Sequence, residues 1–63
     1  MDGYKLNRGD TVVLTTGTVL KDIFPYSMNR WKGTLQYCGV GLRSPGILIS
    51  FHINMINKHI PAP

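Results

Sequence analysis

The segment Ile47-Leu48-Ile49-Ser50-Phe51-His52-Ile53-Asn54-Met55 decides the fold. Ile47, Ile49, Phe51, Ile53 and Met55 fall on one parity, and Ser50, His52 and Asn54 on the other. Period two is the signature of a strand with one buried face. Leu48 is the one apolar residue on the polar parity. A helix over Ile53–Ile60 competes for the second half, because Ile53, Ile56 and Ile60 would share a stripe; Asn54 and Asn57 weaken it. Pro61 ends either element, so residues 61–63 are expected to form a disordered tail.

Upstream of this segment, Gly39-Val40-Gly41-Leu42-Arg43-Ser44-Pro45-Gly46 is rich in turn residues. It reads as an irregular connection, with room for one short strand at Val40–Leu42. Thr34-Leu35-Gln36-Tyr37-Cys38 alternates and reads as a strand. Phe24–Lys32 reads as a loop closed by Gly33, because Pro25 removes a backbone donor that a central strand would need. Thr18–Ile23 is expected to be a strand with Val19 and Ile23 in the core. Thr11–Thr16 is a compact β-branched strand, followed by a bulge or bend at Gly17. Arg8-Gly9-Asp10 reads as a turn, and Tyr4–Asn7 as a short lead-in strand.

The chain has 63 residues, enough for one domain, read as residues 1–60. A domain this small buries roughly 60% of its unfolded surface and is marginally stable. Cys38 is the sole cysteine, which excludes an internal disulfide. A polar N-terminus without a signal-like apolar run, and no apolar stretch near the ~20 residues that span a bilayer, point to a soluble cytoplasmic protein without a membrane partner. Scattered Gly and Pro, scarce Ala and no Glu argue against helices. The expected fold class is all-β: a small SH3-like barrel or strongly bent antiparallel sheet of about five short strands.

Gly9-Asp10-Thr11-Val12-Val13-Leu14-Thr15-Thr16-Gly17 resembles the opening of KOW-type and related SH3-like barrels, which often begin with Gly-Asp, an alternating apolar strand and a glycine. The resemblance covers these nine residues. The basic residue and further glycine that follow in those modules have no clear counterpart, since Thr18–Tyr26 reads Thr-Val-Leu-Lys-Asp-Ile-Phe-Pro-Tyr. The resemblance implies an SH3-like barrel that contacts RNA, ribosome or RNA polymerase. Small barrels host unrelated functions, so such a fold leaves the function to be argued from the surface.

Seven Lys and Arg face three Asp, for a formal charge of +4. Such a balance attracts nucleic acid, acidic protein surfaces or anionic lipid, or serves solubility alone. The stretch Tyr26-Ser27-Met28-Asn29-Arg30-Trp31-Lys32 mixes aromatic and cationic side chains. Aromatic rings stack on unpaired bases and Arg and Lys neutralise phosphates. Arg and Trp are also enriched at protein-binding hot spots. Trp31 equally suits a core plug, with Arg30 and Lys32 merely solvated. Arg43, among glycines, is a second basic position, though a plain loop without P-loop spacing is the simpler reading. Tyr26, Arg30, Trp31, Lys32 and Arg43 are therefore the candidate partner-binding residues.

Catalytic chemistry is not expected. Asp2, Asp10 and Asp22 sit near a terminus, a turn or a basic neighbour, and Cys38 with His52 is the one nucleophile–base pair to consider. His52 and His59 read as ordinary surface histidines, with spacing unsuited to a zinc site. No cofactor or metal is expected. The expected function is a small non-enzymatic binding module that engages and modulates a larger protein or nucleoprotein partner, in the manner of phage or mobile-element products that act on host machinery. A basic barrel binding RNA or single-stranded DNA is the second expectation, and a self-associating homo-oligomer the third.

Overall fold

In the computed structural model, residues 5–38 and 46–63 are described. Among them five strands form one antiparallel sheet: β1 Thr11–Leu14, β2 Val19–Ser27, β3 Arg30–Tyr37, β4 Leu48–His52 and β5 Ile56–Ile60. The order is β4-β3-β2-β1-β5, so the last strand returns to lie beside the first. The all-β expectation holds, and the described residues contain no α-helix. Val12, Leu14, Leu20, Ile23, Leu35, Phe51 and Ile56 make up the core, with Leu6, Trp31, Cys38, Ile49 and Ile53 packed against it.

β2 carries the main correction. The segment expected to be a loop, Phe24–Lys32, is the outer half of a long β2–β3 hairpin turning at Met28-Asn29. Asn29 takes a positive φ of 62° at that turn, a conformation asparagine tolerates well. Pro25 survives in β2 because β1 has already ended. Ile23 still donates its N–H to Asp10 O at 3.2 Å, on the β1 side. Two residues on, the nitrogen of Pro25 faces that same side, where no strand needs it.

β2 also bulges. Lys21 pairs with Thr34 and Phe24 with Lys32, so three steps on β2 answer two on β3. Asp22, with φ 54°, lies within the extra length. The bulge resets the parity, and Leu20 and Ile23 both reach the core with no exposed surface. Val19, expected inside, is half-buried; Leu20 occupies the core in its place. Further register shifts fall between Val19 and Leu20 and between Pro25 and Ser27. Bulges increase local bend and twist.

The C-terminal half is shorter-ranged than its alternation implied. β4 stops at His52, and Ile53–Met55 forms a 3₁₀ turn in place of more strand or a longer helix. His52 Nδ1 accepts the Asn54 N–H at 3.1 Å, capping that turn. Phe51 is buried, whereas Ile47 and Met55, on the same parity, are exposed. The chain then enters β5, whose residues pair with β1 from Thr11↔Ile60 to Leu14↔Ile56. Residues 5–7 form no strand, so the lead-in strand at Tyr4–Asn7 is not found there, and Tyr4 itself lies outside the described residues. The short strand considered at Val40–Leu42 also lies outside them. Beyond β5, the Ala62 N–H donates to Asp10 Oδ1 at 2.8 Å.

Gly33 lets the hairpin close on the core. A Cβ there would sit 2.9 Å from Ile23 Cγ2 and 3.0 Å from Leu20 Cβ. The second of these is anchored next to backbone and has little room to yield. Overpacking of this kind costs about 1–3 kcal/mol. At about 0.05–0.15 kcal/mol per residue, a chain of this length has only a few kcal/mol of stability in total. Gly33→Ala is therefore expected to lower the midpoint of urea unfolding sharply, and Gly33→Val to lower it further. An alanine variant as stable as the parent would overturn the close approach.

Candidate functional site

The β2–β3–β4 ladder fixes which side chains share a face. Directly paired residues in an antiparallel ladder point to the same side. Leu20 pairs with Leu35, and both are buried. The intervening positions therefore point outward. Across the three strands they form three rows: Lys21–Thr34–Leu48, Phe24–Lys32–Ser50, and Ser27–Arg30–His52. Rows two residues apart on one strand lie roughly 6.6–6.8 Å apart.

Four of the five expected binding residues fall on this hairpin, and they divide between its faces. Arg30 and Lys32 belong to the outer rows. Tyr26 joins them: Lys32 Nζ lies over its ring at 4.3 Å from the centroid, a cation–π contact. Tyr26 is 56% exposed and Met28, at the turn, 86%. Trp31 points the other way. It pairs with Phe51, which is 3% exposed, and packs against the core. Arg43 lies outside the described residues. Sequence reading missed Phe24 and Leu48 as members of this face, and allowed that Lys21 could join a basic site without showing that it shares the face. The signal that would have found them is the ladder register, which depends on the bulge at Asp22.

No carboxylate is a paired member of these rows. Asp22 lies within the bulge, and Asp10 is engaged elsewhere. Lys21 and Arg30 are exposed and Lys32 half-buried. The rows thus hold three cations, with the exposed Asp22 next to Lys21 in the bulge, and Phe24, Tyr26 and Leu48 supply apolar area.

Asp10 is expected in a turn and His59 at the surface, but the two side chains meet. His59 Nε2 donates to Asp10 Oδ2 at 2.7 Å, and the carboxylate is 2% exposed. The same carboxylate accepts the Asn7 N–H at 3.0 Å and the Ala62 N–H at 2.8 Å. The His59 hydrogen bond holds the Asp10 carboxyl below the usual carboxylate range; the Ala62 and Asn7 amides act the same way, and desolvation opposes them. The carboxylate oxygens are occupied by structural donors, so the pair acts as a clasp joining the turn before β1 to the chain after β5. Among the described residues no group of three His, Cys, Asp or Glu side chains is placed to hold a metal ion.

Compared with protein-family models, curated proteins and solved structures, the chain matches none.

The clasp has a pH signature. A carboxyl whose folded pKa is depressed contributes stability that is fully present above its unfolded pKa, about 3.9. That contribution disappears as pH falls through the lower folded value. Thermal unfolding measured from about pH 6 to about pH 2 should show the parent losing stability steeply in acid. Asp10→Asn should melt lower at pH 6 and depend less on pH, and the two curves should converge at the acid end. Parallel curves would remove Asp10 from the clasp.

Proposed function

We propose that the chain is a non-enzymatic binding module that engages and modulates a larger protein partner through the outer face of its β2–β3 hairpin. One observation carries this reading: Arg30, Lys32 and the exposed Tyr26 and Met28 gather on an arm that extends beyond β1. Exposed Tyr and Arg are the side chains that anchor protein interfaces, and Lys32 presents the Tyr26 ring in a set orientation. Trp31 supports the arm from beneath by packing against the core, so its role is positioning.

A second reading, binding of RNA or single-stranded DNA, is favoured by the cations Lys21, Arg30 and Lys32 on one face. Such binding weakens steeply with salt as counterions return to the phosphates. The uncovered side of the Tyr26 ring would serve as its stacking surface.

Affinity capture from a lysate, with and without nuclease, separates the two. A protein partner should be retained after nuclease treatment. It should be lost on the paired replacements Tyr26→Ala and Arg30→Glu, which spare the core. Replacing Trp31 is less informative, because it removes packing as well. Loss of all captured material on nuclease treatment would overturn the protein reading in favour of nucleic acid.

A further inference from the structure

We infer that the outer face of β2–β3–β4 docks an acidic, extended segment of a partner protein, with its carboxylates at alternate positions. This inference rests on the binding-module reading and specifies the chemistry of the partner. It starts from the ladder, which sets Lys21, Lys32 and Arg30 on three successive outward rows. Along β3 and β4 the rows repeat every two residues, roughly 6.6–6.8 Å, and an extended chain presents the side chains of one face at the same repeat. A segment lying along the strands therefore brings one carboxylate to each row without a change of register.

The other occupants of the rows suit such a segment. Thr34 and Ser50 are small and hydroxylated, so they do not obstruct a chain laid across them and can hydrogen-bond to it. Phe24 on one side and Leu48, 57% exposed, on the other offer apolar borders. The aliphatic parts of a peptide cover both borders, whereas a nucleic acid would use Phe24 only through base stacking and leave Leu48 unused. Lys32 already covers one side of the Tyr26 ring. Stacking by bases is therefore less well served than pairing of carboxylates with cations.

The test is an NMR titration of the isotope-labelled full chain with three probes. The first is a synthetic ten-residue peptide alternating Glu and Thr. The second is a peptide of the same composition with the Glu residues in one block. The third is a ten-nucleotide oligothymidylate. The alternating peptide should bind most tightly, with amide shifts confined to the outer rows of β2, β3 and β4. Lys32→Gln and Arg30→Gln should each weaken it by about two- to fivefold, as expected for exposed ion pairs. Both replacements lie outside the core, and an unchanged spectrum elsewhere checks that the fold is kept. Equal binding of the two peptides would overturn the row-matching inference, as would tighter binding of the oligonucleotide or shifts centred on β1 and β5. If a protein is still captured after nuclease treatment while the alternating peptide fails, the acidic-segment inference falls and the binding-module reading stands.

Discussion

The extra length at Asp22 is the constraint on which the rest of the sheet depends. A regular strand cannot turn both Leu20 and Ile23 inward, because three residues separate opposite faces. The bulge supplies the missing half-period, and β2 contributes two fully buried side chains to a core of seven. The core then needs space opposite them, which Gly33 provides by leaving its Cβ position empty. The same shift decides the exterior. Before the bulge Lys21 points outward, and after it Phe24 does, so both align with the outward parity of β3. One local departure from regularity thus sets the interior and the exterior surface together.

The clasp around Asp10 complements that core from the other end of the sheet. β1 is short, and its partner β5 is the last strand of the chain. A short strand pair needs further ties to hold it. Asp10 sits directly before β1 and binds Ala62 and His59, so it secures the entry to one strand and the end of its neighbour with a single buried carboxylate. Asn7 closes the same group from the preceding turn, where Asp10 also donates its N–H to Asn7 O at 3.2 Å. Three donors to one carboxylate satisfy a charge that would otherwise be costly to bury.

The sequence made some of this plain and hid the rest for identifiable reasons. Alternation in Thr11–Leu14 and around Phe51 located β1 and β4, and the scarcity of helix formers correctly indicated an all-β fold. Pro25 misled because its missing donor matters only where a strand has neighbours on both sides, and nothing local shows that β1 ends before reaching it. The bulge at Asp22 carries no glycine to advertise it; asparagine and aspartate enter positive φ quietly. At Ile53 the alternation continues on paper while the backbone turns, because His52 caps Asn54. β5 was obscured by Asn57 and Lys58, whose polarity suits an exposed edge. The Asp10–His59 pair joins positions 49 apart, beyond the reach of any local pattern. Of the candidate site, the aromatic and basic residue types were legible. Their division between faces was not, since it follows from register. That division removes Trp31 from the exposed set, sets Lys21 on the outer face and brings in Phe24.

The outer face is informative because packing does not dictate it. Inside, size and shape restrict each residue. Outside, Lys21, Arg30 and Lys32 stand on successive rows of one ladder, and no carboxylate occupies a described position in those rows. Like charges on a compact surface repel, a modest cost that neighbouring acids would remove. Dispersing those charges over the sheet would serve solubility equally well, and hydroxyls would serve in place of Tyr26, Met28 and Leu48. Lys21, Arg30 and Lys32 stand beside exposed apolar side chains, and Trp31 packs against the core beneath them. In the proposed reading, the partner supplies both the missing carboxylates and the cover for the apolar area. The repulsion in the free protein then becomes part of the driving force for association.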